Sequence, residues 1–113
     1  MSITFRKSNH TAILTSDLKS SRKFYENVMG LELIDSTDDH LIFKTGDSYF
    51  YVVYDIDLSG AVLEFCVDDI DDARDRLVNK GCRLIKWEGK GKDCYMQDPF
   101  GMIFNLWEET AEK

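Results

Sequence analysis

The sequence predicts an α+β fold made of two βαβββ modules in tandem. Three observations lead to this prediction: the same pattern occurs twice, each copy contains a helical stretch with its own cap residues, and the remaining stretches alternate apolar and polar residues. The 113 residues are enough for one domain of ordinary size. We expect the modules to span about residues 5–57 and 58–109 of this single domain.

The repeat becomes visible when the stretch from Ala61 is laid on the stretch from Asn9. NHTAILTSDLKSSRKFYENVMGLELI then matches AVLEFCVDDIDDARDRLVNKGCRLI in pattern, although few letters are identical. The aligned pairs are Asp17 with Asp69, Arg22 with Arg74, Asn27 with Asn79 and, after a deletion of one residue, Gly30 with Gly81. Internal similarity at about 50 residues indicates two copies of one supersecondary unit.

Each module is predicted to begin with a strand that leads into a helix. The first strands run from about His10 to Thr15 and from Val62 to Val67. Residues at helical spacing follow: Leu18, Ser21, Phe24, Tyr25 and Val28 in the first module, and Ile70, Ala73, Leu77 and Val78 in the second. Asp17 and Asp69 stand where N-caps belong, and Gly30 and Gly81 are the expected C-terminal stops.

Three strands are predicted after each helix, with consecutive strands antiparallel and joined by short turns. In the first module they lie near Leu31–Asp35, His40–Lys44 and Ser48–Tyr54. In the second module they lie near Arg83–Trp87, Asp93–Gln97 and Met102–Trp107. The helix should cover one face of each sheet, and the other face must be covered as well or form a cavity.

Side chains alternate along a strand, so the two faces of each sheet can be assigned from the sequence. The residues predicted to pack under the helices are Thr11, Ile13, Thr15, Leu63, Phe65 and Val67. The residues predicted to point to the opposite face include His10, Ala12, Leu14, Tyr49, Tyr51, Val62, Glu64, Cys66, Asn105 and Trp107.

Two polar residues on this opposite face lie in otherwise apolar strands. Asn105 is an amide inside IFNLW, and Glu64 stands between Leu63 and Phe65. A buried amide without a partner costs about 1–3 kcal/mol, so something must offset that cost. We therefore expect Asn105 and Glu64 to face a cavity that holds a small molecule, and not to be core residues.

The composition excludes several classes of partner. Fourteen Lys and Arg against 21 Asp and Glu give a net charge of −7, which argues against nucleic acid as a partner. No apolar run approaches the roughly 20 residues of a membrane span, and residues 1–9 do not predict a signal peptide. Cys66, Cys82 and Cys94 show no pairing pattern, which favours reduced thiols and a cytoplasmic location.

The duplicated pattern resembles the vicinal oxygen chelate superfamily, which includes glyoxalase I, the bleomycin-resistance proteins and extradiol dioxygenases. The segments NHTAILTSDLKSSRKFYENVMGLEL, VDDIDDARDRLVNKG and DPFGMIFNLWE carry the resemblance, and with the pattern between them they cover essentially the whole chain. The resemblance implies a mixed, curled sheet that forms a cup, a small-molecule ligand and a homodimer.

The resemblance also implies four positions that ligate a divalent ion in metal-using relatives. In this chain those positions hold His10, Val62, Asn105 in place of the usual glutamate, and Tyr51, with Val52 or Val53 as alternatives to Tyr51. Only His10 is a strong ligand, whereas an open catalytic site normally has about three protein ligands. We therefore expect no metal and no other cofactor, and keep a shifted divalent-metal site that uses Glu64 as the alternative.

Two main functional hypotheses follow from the resemblance. The first is a metal-independent small-molecule binder similar to the bleomycin-resistance proteins, in which Tyr49, Tyr51 and Trp107 stack a planar or cationic ligand. The second is a glyoxalase-like lyase or isomerase, or a dioxygenase, with an altered metal site and Glu64 as the catalytic base. A third hypothesis is a scaffold whose cavity is filled by its own side chains.

Overall fold

The computed structural model describes residues 3–109, and these form two compact units. The N-terminal unit comprises residues 9–62, and the C-terminal unit comprises residues 3–8 together with 63–109. The elements are β1 Arg6–Thr15, α1 Leu18–Arg22 with its π-helical continuation Lys23–Val28, β2 Glu32–Ser36, β3 His40–Thr45, β4 Ser48–Tyr54, β5 Gly60–Val67, α2 Ile70–Asn79, β6 Arg83–Trp87, β7 Cys94–Gln97 and β8 Ile103–Glu108. The predicted α+β class and the order βαβββ, repeated, are confirmed.

Both units contain two antiparallel strand pairs and one parallel pair in the same arrangement. The strand order is β2-β3-β4-β1 in the N-terminal unit and β5-β8-β7-β6 in the C-terminal unit. The three strands after each helix pair antiparallel, as predicted, but the last of them returns to pair in parallel with the first strand of its module. The helix makes this possible because it carries the chain from the first strand to the far edge of the sheet.

Each helix packs on one face of its own sheet. In the N-terminal unit, Leu18 and Tyr25 lie against a core of Leu41, Phe43 and Val52. In the C-terminal unit, the buried core consists of Val67, Ile70, Ala73, Cys94, Met96 and Leu106. Alternate residues of the same strands therefore lie on the face away from the helix.

The predicted packing under the helices is confirmed for Ile13, Phe65 and Val67 and is wrong for Leu63. Ile13 and Phe65 join the two helix-side cores, and Val67 is fully buried. Leu63 is 41% exposed. The reason is that α2 contributes Ile70 and its following turns to a core at the carboxyl end of β5, whereas Leu63 stands near the start of that strand.

The helix ends use the residues that the sequence indicated. Asp17 Oδ1 accepts a hydrogen bond from Ser20 N at 3.0 Å, and this bond lowers the pKa of the Asp17 carboxyl. Asp69 Oδ1 accepts from Asp72 N at 3.1 Å in the same way. Glu108, at the end of β8, adds a second acceptor at the start of α2, because its Oε2 accepts from Ile70 N at 3.0 Å. Both expected stops are glycines at positive φ, 73° at Gly30 and 108° at Gly81.

The one-residue difference between the repeats appears as the π-helical segment Lys23–Val28. The Leu31 N–H donates to the Tyr25 carbonyl at 3.0 Å, and the aligned Cys82 N–H donates to the aligned Leu77 carbonyl at 2.9 Å. The same closing bond thus spans one more residue in the N-terminal unit. The wider π-helical turn accommodates that extra residue.

Deletion of Asn27, inside the π-helical segment, should therefore be better tolerated than deletion of Ser20, inside α1. Deleting Asn27 shortens the span of the closing bond by one residue, to the span between Leu77 and Cys82 in the C-terminal unit. Deleting Ser20 turns Leu18 away from the line of Tyr25 by about 100° and should cost about 2–5 kcal/mol, as for a lost core side chain. Urea unfolding of the two variants measures the difference, and equal losses of stability would contradict this account of the insertion.

Candidate functional site

Asn105 is the centre of a hydrogen-bonded cluster on the face of the C-terminal sheet that points away from α2. It is 7% exposed and lies in register with Glu64 on β5 and with Tyr95 on β7. Its Oδ1 accepts from the Cys94 backbone N–H at 2.8 Å. Its Nδ2 donates to Glu64 Oε2 at 3.2 Å and to Asp93 Oδ1 at 3.3 Å. The amide therefore has partners for both of its N–H bonds and for its oxygen.

The partners fix which way the Asn105 amide points. A backbone N–H can only donate, so the atom that faces Cys94 must be the oxygen. The NH₂ group is then directed at the two carboxylates, of Glu64 and Asp93, which accept from it. The expectation that Asn105 is not a core residue is wrong, because its oxygen satisfies a buried backbone donor at the first residue of β7.

Sequence reasoning missed Asp93 as a member of this cluster. Asp93 was placed at the start of a strand, whereas β7 begins one residue later, at Cys94. The available signal was a carboxylate directly after the GKGK turn and directly before a buried strand, Cys94–Gln97. Its partnership with Glu64 and Asn105 depends on the pairing of three strands, which the local sequence does not contain.

Charged, polar and aromatic residues form one continuous row across the C-terminal sheet. The residues in register are Glu64, Asn105, Tyr95 and Lys86, one from each of the four strands. Lys86 Nζ stands 6.0 Å from the centre of the Tyr95 ring. The corresponding row in the N-terminal sheet is Ala12, Tyr51, Ile42 and Asp35. The two modules therefore share a backbone pattern but not the chemistry of this row.

The N-terminal unit instead carries three aromatic rings on neighbouring strands. His10 on β1 lies beside Tyr49 and Tyr51 of β4, with ring centres 5.3 Å apart in each case. The Tyr49 ring is nearly perpendicular to the imidazole at 79°, and the Tyr51 ring is tilted by 42°. All three side chains are half-buried, and they lie on the face away from the helix because Phe50 and Val52 point into the helix-side core.

The other predicted site residues carry fewer groups that could bind a metal ion or a polar ligand. Val62 is buried and has no donor atom in its side chain. Cys66 and Trp107 are half-buried neighbours in the register of β5 and β8. Cys94, whose side chain lies in the helix-side core, has a thiol whose pKa burial raises to about 11, so it is protonated at neutral pH. The prediction that these residues bind a ligand stays a prediction.

Within residues 3–109, no group of three or more His, Cys, Asp or Glu side chains is arranged to hold a metal ion. Over the same range, no helix combines the length and apolar character needed to cross a membrane. Cys66, Cys82 and Cys94 are free thiols.

Solved structures show the same arrangement of strands and helices. Homoprotocatechuate 2,3-dioxygenase from Brevibacterium fuscum, in complex with 3,4-dihydroxyphenylacetate, has a TM-score of 0.68 at 20% identity over 94% of this chain and 37% of that one. The enzyme from Arthrobacter globiformis has a TM-score of 0.67 at 19% identity, covering 94% of this chain and 37% of that chain. This chain thus spans about a third of the length of these dioxygenases.

Another solved structure is matched along its whole length. It is a glyoxalase/bleomycin resistance protein/dioxygenase superfamily member from Vibrio splendidus 12B01, with a TM-score of 0.66 at 16% identity over 96% of this chain and 100% of that one. Identities this low establish a shared fold. Comparison with curated proteins gave no match.

The fold, a pair of βαβββ modules, identifies the class of protein. The family model described as Glyoxalase/Bleomycin resistance protein/Dioxygenase superfamily matches residues 7–106. The chain belongs to that superfamily, and the resemblance found in the sequence is confirmed.

Replacing Asn105 should destabilise the fold in a way that depends on the replacement. Asn105→Leu leaves the Cys94 N–H without its acceptor and should cost about 1–3 kcal/mol. Asn105→Asp keeps an acceptor for that N–H but places a third carboxylate beside Glu64 and Asp93. Like charges at this distance disfavour ionisation, so the new carboxyl should have a raised pKa in the folded state.

The two variants should then separate as the pH changes. A raised folded-state pKa means that the folded protein binds more protons, so the loss caused by Asn105→Asp shrinks as the pH falls towards about 4. The loss caused by Asn105→Leu should shrink less over that range, because Leu adds no carboxyl group and only removes the N–H donors of Glu64 and Asp93. Urea unfolding between about pH 4 and pH 7 tests this, with Asn79→Leu, an exposed amide at the end of α2, as the matched control. An Asn105→Leu variant as stable as the control would refute a structural role.

Proposed function

We propose that this protein binds a small molecule without the superfamily's usual metal site, in the manner of the bleomycin-resistance proteins. The observation that carries the proposal is the orientation of the Asn105 amide, which directs N–H donors at Glu64 and Asp93. A cation requires oxygen or nitrogen lone pairs at that position, not hydrogens. The amide oxygen already accepts from the Cys94 N–H, so only its remaining lone pair could bind a cation.

The donor set at the other family positions supports the same proposal. His10 offers an imidazole, Val62 offers no ligand atom, and Tyr51 offers a phenol oxygen, which is not among the usual ligands of such a site. A catalytic zinc-type site uses about three protein ligands. We therefore propose that His10, Tyr49 and Tyr51 in the N-terminal unit contact the ligand. For the C-terminal unit taken by itself, we propose that Glu64, Cys66 and Trp107 form a ligand-contacting surface, with Asn105 holding Glu64 in place.

The alternative proposal is a glyoxalase-like lyase or isomerase, or a dioxygenase, with an altered divalent-metal site. The observation that favours it is the pair of carboxylates, Glu64 and Asp93, brought to one amide nitrogen, because carboxylate oxygens are the preferred ligands of hard divalent ions. Homoprotocatechuate 2,3-dioxygenase is among the proteins of this fold. In this alternative Glu64 is the catalytic base or a ligand, and the Asn105 amide must turn.

Metal content separates the two proposals. Protein purified without chelators should carry fewer than about one divalent ion per two chains, since His10 is the one strong ligand at the family positions. Elemental analysis of the intact protein measures this, and Glu64→Gln is the matched variant. Stoichiometric zinc, nickel, manganese or iron that is lost in Glu64→Gln would favour the enzyme over the binder.

We also propose that the protein is a cytoplasmic homodimer. Its three free thiols fit a reducing compartment. Large apolar side chains are exposed in both units, including Val28 at 72% and Phe100 at 89%. Large exposed apolar side chains of this kind are what an interface between two copies would bury.

Light scattering at micromolar concentration should therefore give about twice the 13.1 kDa mass of the chain. A stable dimer of this size buries at least about 1,200 Å² in total, which requires more than one exposed side chain. Val28→Glu and Phe100→Glu place a charge in each candidate surface, and the variant that becomes monomeric identifies the interface. A monomeric parent protein would contradict the proposal.

A further inference from the structure

The aromatic surface formed by His10, Tyr49 and Tyr51 has no counterpart in the second module. The positions that correspond to His10 and Tyr51 hold Val62 and Asn105. The common backbone pattern thus forms without aromatic rings at these positions, so the fold does not require them. Their presence in one module needs an explanation other than the architecture.

These three rings are also distinct from the aromatic core of the same unit. That core consists of Tyr25, Phe43 and Phe50 on the helix side of the sheet, and Phe43 is fully buried. His10 lies on the opposite face with its two tyrosines and remains half-buried, as they do. The unit therefore has one aromatic cluster that fills the core and a second that keeps part of its surface accessible.

The geometry of the accessible rings suits a further ring. Aromatic pairs prefer edge-to-face or offset arrangements with centres about 4.5–7 Å apart. The two contacts of His10, at 5.3 Å each and at angles of 79° and 42°, are already of this kind. A flat ligand can extend the same pattern by stacking on one ring while meeting the edge of the next.

We infer that the ligand carries a flat aromatic ring and that His10, Tyr49 and Tyr51 are the residues that select it. This inference rests on the proposed small-molecule binding and names the class of ligand. A planar ring gains face and edge contacts that a saturated ring of the same carbon skeleton lacks, in addition to the burial that both gain. The expected preference for the aromatic compound is at least about fivefold in dissociation constant.

Two matched probes test the inference: 2-naphthol and its saturated analogue decahydro-2-naphthol, which share a carbon skeleton and a hydroxyl group. Each is titrated into ¹⁵N-labelled protein and followed by the backbone amide shifts of β1 and β4. We expect 2-naphthol to shift the amides around His10, Tyr49 and Tyr51 and to bind at least about fivefold more tightly than the saturated probe.

Variants on a single strand provide the controls. Tyr49→Leu and Tyr51→Leu should each weaken 2-naphthol binding at least about fivefold, whereas Tyr49→Phe and Tyr51→Phe, which keep the ring, should bind like the parent. Tyr54→Leu should have no effect, because Tyr54 alternates with Tyr51 along β4 and is 45% exposed on the other face. The amide spectra also report whether each variant is folded.

The outcomes separate this inference from the function on which it rests. Equal binding of the two probes at these residues contradicts selection of an aromatic ring and leaves small-molecule binding at this surface intact. Shifts at His10, Tyr49 and Tyr51 with neither probe contradict both. Tyr54→Leu weakening the binding as much as Tyr51→Leu overturns the assignment of the surface.

Discussion

The Asn105 amide joins three strands of the C-terminal sheet through hydrogen bonds of its side chain. It sits on β8, accepts from the backbone of Cys94 on β7, and donates to Glu64 on β5 and to Asp93 just before β7. Burying an amide is costly unless its hydrogen bonds are satisfied, and here both ends have partners. The amide also lets two carboxylates approach one point in an acidic protein, because each accepts an N–H from it.

Duplication explains why the two modules can differ so much in chemistry and so little in backbone. The closing bonds from Leu31 to Tyr25 and from Cys82 to Leu77 join the same aligned positions, although one spans an extra residue. The caps, the glycine stops and the helix-side core specify the backbone, so the face away from each helix is free to vary. That face carries aromatic rings in the N-terminal unit and a hydrogen-bonded carboxylate pair around Asn105 in the C-terminal unit.

Features encoded locally could be predicted from the sequence, and features that depend on pairing could not. Asp17 and Asp69 act as caps through bonds to residues three positions away, so short-range spacing is sufficient to find them. The polar anomaly at Asn105 was equally visible, but its partners lie 11, 12 and 41 positions away. Alternation also cannot show where a helix stops covering a strand, which is why Leu63 was misplaced.

Fold stability and metal binding compete for the same atoms at Asn105. Its nitrogen lies 3.2 Å from Glu64 Oε2 and 3.3 Å from Asp93 Oδ1, so each carboxylate already accepts a hydrogen bond from the amide. To offer its oxygen to an ion between these carboxylates, the amide would have to turn and leave the Cys94 N–H unpaired. That exchange costs a buried hydrogen bond, so at this position the stability of the sheet depends on the amide keeping its present orientation.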